Sequence, residues 1–199
     1  KAWSGFVKDG SYGVYSLKDA KKSGGKGYYF LYTIAFSLLA MAVYFWILFR
    51  GRTFIWSADG WNQHFKALVY YSRYLRDIIR NLLTNHTLQI PEWDFHIGEG
   101  SDVFRALHYY VMGDPFSFFS FLVPERFLYI YFDCMVLLRL YLAGIAFSIL
   151  CFGTGMRNPY AILAGSLSYA FCFWCMFNAV RHAYFLNPMI LFPILILGV

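Results

Sequence analysis

The amino-acid sequence predicts an all-α protein that crosses a membrane several times. Of the 199 residues, 59% are hydrophobic and only 14% are charged, which is too apolar a composition for an ordinary soluble domain. The apolar residues are concentrated in long runs, and the longest of these could cross a lipid bilayer as helices. Between the first two runs lies a long segment with amphipathic helical periodicity, which is typical of helices that rest on a membrane surface.

The chain begins with a lysine-rich tail, residues 1–27, in which six Lys stand against two Asp. Its Gly- and Ser-containing composition predicts disorder, and its positive charge predicts a cytoplasmic N-terminus. Because the tail accounts for most of the net charge of +6, no basic surface remains for nucleic acid. The first residue is Lys rather than Met, so we expect this sequence to be the front part of a longer protein.

Four apolar runs predict membrane helices. The first, residues 28–49, contains no charge and is long enough, at about 1.5 Å per residue, to cross the hydrocarbon layer. The others are predicted at 127–152, at 160–177 and at 186–199, where a fourth span begins and the chain is expected to continue. Asp133 and Arg139 interrupt the second span six residues apart, so they do not share a helix face.

Residues 50–126 are predicted to form a large loop outside the membrane, with amphipathic helices at about 59–83 and 102–112. One face of the first helix carries a polar stripe that consists of Asp59, Gln63, Lys66, Tyr70, Arg73 and Asp77. The opposite, apolar stripe consists of Trp61, Phe65, Leu68, Leu75, Ile79 and Leu82. Ser101 or Asp102 is predicted to cap the second helix. All four cysteines lie inside predicted spans, so no outer disulfide framework is expected.

Several short motifs occur in a specific order along the chain: Trp56-Ser-Ala-Asp-Gly-Trp-Asn-Gln-His64, Pro91-Glu-Trp-Asp94 with Gly98-Glu-Gly100, Gly113-Asp-Pro-Phe116, and His182 with Asn187-Pro188. Together they resemble the bacterial YfhO family, which is similar to the GT-C type of integral membrane glycosyltransferase. The resemblance implies a multi-pass enzyme of the bacterial cell membrane that uses a polyprenyl-phosphate-linked sugar. It also implies an acidic site residue in the first outer loop and an acceptor that is a cell-envelope polymer such as lipoteichoic acid.

Within this resemblance, Asp59 is the candidate catalytic base, because it heads the polar stripe beside the membrane and could take a proton from an acceptor hydroxyl. Direct displacement of the phosphate would invert the anomeric centre and would need only one carboxylate. The candidates for binding the phosphate are Lys66, Arg105, Arg181 and His182. Gln63 and Asp114 complete the predicted substrate-binding residues.

Other hypotheses stay open at this point. Asp59 could cap a helix, and Asp114 before Pro115 could be a turn residue. A divalent metal is conceivable, but His96, Glu99, Asp102 and His108 match no ligand motif, and no metal ligand is assigned. Two further function classes compete with the enzyme. One is a transporter or lipid flippase that uses Asp133 and Arg139, and the other is a non-catalytic membrane scaffold.

Overall fold

The computed structural model describes residues 26–198 and confirms the predicted all-α membrane fold. The lysine-rich tail, apart from its last two residues, lies outside the described part of the chain. The disorder expected for the tail therefore stays a prediction. Five helices carry the apolar runs: α1 (Lys26–Phe49), α5 (Leu128–Gly153), α6 (Pro159–Ala170), α7 (Phe173–Arg181) and α8 (Asn187–Gly198).

Within residues 26–198, three stretches are long and apolar enough to cross a membrane: Gly27–Ile47, Glu125–Gly153 and Pro159–Arg181. The third stretch is not the single helix over 160–177 that the sequence predicts. It is divided into α6 and α7, because Cys172 adopts an extended backbone between them. Residues Ala183–Gly198 form a shorter apolar stretch that includes α8.

Helix α5 lies at the centre of the membrane bundle and packs most extensively against α8 and α6, while α1 packs against α6. The contact between α1 and α5 is close. The Tyr32 hydroxyl donates a hydrogen bond to the Tyr141 carbonyl at 2.9 Å, and this ring is fully buried beside Gly144. Small residues at a helix interface allow this approach of one helix to another, as is usual in membranes.

The region between α1 and α5, which the sequence predicts to be an outer loop, consists of short elements around one longer helix. A π-helical turn, Gly60–Phe65, leads into α2 (Lys66–Asn85). Strands β1 (Trp93–Asp94) and β2 (Ser101–Asp102) pair antiparallel, with Trp93 opposite Asp102. The remaining elements are α3 (Val103–Leu107), α4 (Pro115–Phe118), and the 3-10 turns Phe119–Leu122, Glu125–Phe127 and, after α7, Ala183–Leu186.

The predicted amphipathic helix at 59–83 corresponds to the π-helical turn and α2, but its buried face differs from the predicted apolar stripe. Leu68, Tyr71 and Ser72 are buried, whereas Trp61 is exposed. A π-helical turn is wider than an α-helical one, and the Trp61 amide donates to the Trp56 carbonyl five residues earlier. This change of helical register rotates Trp61 away from the buried face of the helix, on which Leu68 lies.

The second predicted loop helix, at about 102–112, is shorter in the structure and ends at Leu107 as α3. Asp102 caps it as expected, because its carboxylate accepts from the Arg105 amide at 2.7 Å. Beyond Leu107 the backbone closes into turns. The Leu107 carbonyl accepts hydrogen bonds from the amides of Tyr110, Val111 and Met112, and the Asp114 amide then donates to the Val111 carbonyl only three residues earlier, so the regular α-helical pattern is not continued.

Candidate functional site

Asp59 lies immediately before the π-helical turn, with its carboxylate held by a short hydrogen-bonded chain. Gln63 Nε2 donates to Asp59 Oδ1 at 2.9 Å, and the Tyr110 hydroxyl donates to Gln63 Oε1 at 2.8 Å. Asp59 Oδ2 accepts no hydrogen bond from residues 26–198, and the side chain makes no helix-capping hydrogen bond. The carboxylate is therefore oriented through one oxygen while the other is free to accept a proton.

His64 follows Asp59 by five residues and is buried, with 2% of its surface exposed. Its Nε2 and the Nδ1 of His182 are hydrogen-bonded at 2.9 Å, which joins the start of the outer loop to the end of α7. Burial and the neighbouring His182 lower the pKa of His64 to about 4, against a smaller opposing effect of Asp59. His64 is therefore neutral at physiological pH.

Arg181 lies beside His182 and places a cation near the same loop. Its guanidinium carbon lies 4.5 Å from the ring centroid of Trp56 and 4.5 Å from that of Phe177. Arg181 is nevertheless exposed. Because Trp56 precedes Asp59 by three residues, this cation–π contact brings Arg181 to the segment that carries the candidate base.

The structure thus links four of the predicted site residues: Asp59 and Gln63 directly, His182 through His64, and Arg181 through Trp56. Lys66 and Arg105 are exposed, and neither side chain makes an ion pair or hydrogen bond within residues 26–198. Sequence reasoning did not assign roles to His64 and Tyr110. His64 closes the Trp56–His64 motif, which was the only signal for it, and nothing in the sequence pointed to Tyr110.

Asp114, another predicted substrate-binding residue, is buried in a closed polar ring. Arg139 Nη2 donates to Asp114 Oδ2 at 2.7 Å, Asn187 Nδ2 donates to Asp114 Oδ1 at 2.9 Å, and Arg139 Nε donates to Asn187 Oδ1 at 3.0 Å. Ser117 also donates to the Asp114 carboxylate. The substrate role of Asp114 stays a prediction, and in this structure its carboxylate is fully engaged inside the protein.

The two ionisable residues of the second span have separate partners. Arg139 belongs to the ring with Asp114, whereas Asp133 Oδ1 accepts a hydrogen bond from the Phe54 amide at 2.9 Å. They do not pair with each other, as their spacing predicts. Each instead ties α5 to a part of the outer loop.

A cleft of about 720 Å³ lies further along α2, and Asp59 is not among its lining residues. It is formed by one face of α2 and by residues 89–96. Within residues 26–198, no group of three or more His, Cys, Asp or Glu side chains is arranged to hold a metal ion.

Comparison with known proteins gives one family. No curated protein and no solved structure matches the chain. The family described as bacterial membrane protein YfhO matches residues 33–199, which include most of α1, the whole loop between α1 and α5, and the later membrane helices. The chain belongs to the YfhO family of bacterial membrane proteins.

Proposed function

We propose that this YfhO-family protein is a membrane glycosyltransferase of the GT-C type. It transfers a sugar from a polyprenyl-phosphate donor to a cell-envelope polymer such as lipoteichoic acid, on the outer face of the bacterial membrane. The observation that supports this most directly is the arrangement of Asp59, whose carboxylate is oriented by Gln63 and retains one unpaired oxygen. Membrane helices and an amphipathic outer helix fit an enzyme whose donor is a lipid.

In this proposal Asp59 acts as the general base. Its free oxygen takes the proton from an acceptor hydroxyl, and the hydroxyl oxygen attacks the anomeric carbon of the sugar. The bond from that carbon to the phosphate oxygen breaks, and polyprenyl phosphate leaves with the bonding electrons. A single displacement of this kind inverts the anomeric centre, and a phosphate leaving group needs no protonation by a second carboxylic acid.

The leaving phosphate needs a cation, and Arg181 is the best-placed candidate. Trp56 and Phe177 lie against its guanidinium, so the N–H groups at the edge of the group remain available for a bidentate contact. His182 is the next residue, and its hydrogen bond to His64 fixes its position. Lys66 and Arg105 supply two further exposed cations in the same outer region, and a divalent metal could add to the same charge.

Replacement of Asp59 by Asn tests the proposal. The Asn side chain still offers a carbonyl oxygen to Gln63 Nε2, so the local geometry is retained while the base is lost. We expect sugar transfer to fall by about 10²- to 10⁴-fold, with the amount of protein in the membrane unchanged. The measurement is incorporation of the sugar into envelope polymers of cells that carry only the variant.

Glu99→Gln is the matched control, since Glu99 is an exposed loop carboxylate with no ion pair or hydrogen bond among residues 26–198. It should transfer sugar at the wild-type rate. Normal transfer by Asp59→Asn would remove Asp59 as the base.

A further inference from the structure

The cleft beside α2 is long and has two different walls. The helix wall carries Tyr70, Tyr74, Asp77 and Asn81, whose spacing places them on one face of α2. Eleven residues of α-helix correspond to a length of about 16 Å, so the cleft can hold more than one ring of an extended ligand. The opposite wall comes from the chain between Gln89 and His96.

The aromatic rings in this cleft are fixed in position. Tyr70 and Tyr74 are stacked, with ring centroids 6.2 Å apart and an interplanar angle of 19°. Their hydroxyls are both anchored on the opposite wall, because Tyr70 donates to Asp94 Oδ2 at 2.6 Å and Tyr74 donates to the Pro91 carbonyl at 2.9 Å. Trp93 lines the cleft with 56% of its surface exposed. The walls thus offer fixed aromatic surface to a ligand.

Planar polar groups lie between these rings. Hydrogen bonds lower the pKa of Asp94 to about 2 and keep it a carboxylate. The one from Tyr70 has the largest effect, and those from the His96 amide and ring add to it. Asp77 is a second carboxylate and is largely exposed. Gln89 Oε1 accepts from Asn81 Nδ2 at 3.0 Å, which orients the Gln89 amide while its two N–H groups remain available to donate.

The charge of the cleft argues against an anionic ligand. Asp77 and Asp94 contribute two negative charges, and the charge of Asp77 is balanced by Arg80, whose Nη1 lies 3.5 Å from Asp77 Oδ1. Among the described residues that line the cleft, Arg73 is the one Lys or Arg. Both the Nε and the Nη2 groups of Arg73 already donate to the Glu125 carboxylate. A polyphosphate chain would therefore find no unpaired Lys or Arg among the described lining residues, whereas a neutral ligand needs none.

We propose that this cleft binds a neutral, hydroxyl-rich oligosaccharide. The exposed aromatic faces would cover the apolar C–H faces of sugar rings, and the carboxylate and amide groups would pair with neighbouring hydroxyls. Its assignment as the binding site for the acceptor rests on the transferase activity proposed above. It deepens that proposal by specifying that the part of the acceptor held here is a neutral glycan rather than a phosphate backbone.

Titration calorimetry on the purified protein in lipid nanodiscs tests the proposal. The probes are neutral hexasaccharides of glucose and of N-acetylglucosamine, together with poly(glycerol phosphate) of similar length. We expect saturable binding of at least one neutral hexasaccharide and weaker or no binding of the anionic polymer. Absence of binding by every neutral probe, or tighter binding of poly(glycerol phosphate), would overturn the assignment.

Two variants locate the binding in this cleft. Trp93→Ala should weaken the affinity for the bound hexasaccharide about tenfold, while Trp174→Ala, which removes a ring of similar exposure (54%) on α7, should leave it unchanged. Asp77→Asn provides a second variant, because its side chain is 71% exposed and its replacement carries little risk of misfolding. It should weaken binding several-fold, and wild-type affinity in both Trp93→Ala and Asp77→Asn would place the ligand elsewhere.

The two proposals fail separately. A missing oligosaccharide complex removes the cleft assignment whatever the activity of Asp59→Asn. Normal transfer by Asp59→Asn removes the base assignment whatever the cleft binds.

Discussion

His64 has a property that can be tested through pH. Its pKa is about 4 in the folded protein, well below the ordinary value of 6.5, because the ring is buried and faces His182. Between these two pH values the unfolded chain binds a proton that the folded chain does not. The folded state is therefore destabilised as the pH falls from about 6.5 to about 4, by about 3 kcal/mol in total, and this contribution is constant above pH 6.5.

Thermal unfolding of the detergent-solubilised protein at pH 7.5 and at pH 4.5 measures this effect. We expect the wild-type midpoint to be lower at pH 4.5. His64→Gln should reduce the difference between the two midpoints, because Gln does not titrate. An undiminished difference in His64→Gln would assign the pH dependence to groups other than His64.

For individual residues, the sequence predicts the candidate base but not the side chains that surround it. Asp59 was found because it follows the first apolar run and heads a polar stripe at helical spacing. The partners of this loop depend on contacts that no local pattern encodes: His64 meets His182 across 118 positions, and Gln63 meets Tyr110 across 47. Asp114 could not be recognised as a buried residue, because its partners lie on α5 and α8.

Among the helices, the closest approach occurs at Gly144 on α5, and it gives a second prediction. A Cβ atom at Gly144 would lie 2.1 Å from the Tyr32 hydroxyl oxygen and 3.0 Å from the Ser166 carbonyl oxygen. Tyr32 is fully buried and hydrogen-bonded, so it cannot simply move aside. Gly144→Ala should therefore separate α1 and α6 from α5 and lower the thermal unfolding midpoint by several degrees.

Gly27→Ala is the control for this substitution, because Gly27 is also helical and a Cβ there meets no atom within 4 Å. Its midpoint should be equal to or slightly above that of the wild type, since Ala favours a helix more than Gly does. A Gly144→Ala variant as stable as Gly27→Ala would mean that α1 and α6 can move away from α5 without loss of stability.

The elements themselves were predicted best where composition alone decides them. Long apolar runs, uncharged at residues 28–49 and interrupted by two charges in α5, correspond to α1 and α5, because burying a charge in lipid is expensive and such runs rarely have another explanation. Composition could not reveal the break at Phe171 and Cys172, since both residues are themselves apolar and neither is a Gly or a Pro. The sequence predicts a second loop helix that extends to about residue 112, whereas α3 ends at Leu107. The backbone hydrogen bonds beyond Leu107 form turns, which the spacing of apolar residues does not reveal.

For the molecule as a whole, the ring of Asp114, Arg139 and Asn187 connects the outer loop, α5 and α8. Two aromatic rings also lie close to it: the guanidinium carbon of Arg139 is 4.7 Å from the Phe116 ring centroid and 5.4 Å from that of Tyr184. Removing one charge would leave its partner buried and unpaired. Asp114→Leu or Arg139→Met should each destabilise the protein by about 3–5 kcal/mol, measured as a lower thermal unfolding midpoint.

The double variant, Asp114→Leu with Arg139→Met, removes both charges and is the control for this prediction. It should be more stable than either single variant, because no unpaired charge remains. Additive losses in the double variant would show that the two side chains stabilise the protein independently of each other.

The Asp133 carboxylate has a mechanical consequence for the proposed reaction. It holds the amide of Phe54, five residues before Asp59, and Phe54 itself is fully buried against Tyr44 of α1. The backbone that emerges from α1 is thus fastened to α5 before it reaches the base. A displacement of α5 relative to α1 would therefore be transmitted, through this hydrogen bond, to the backbone segment that carries Asp59.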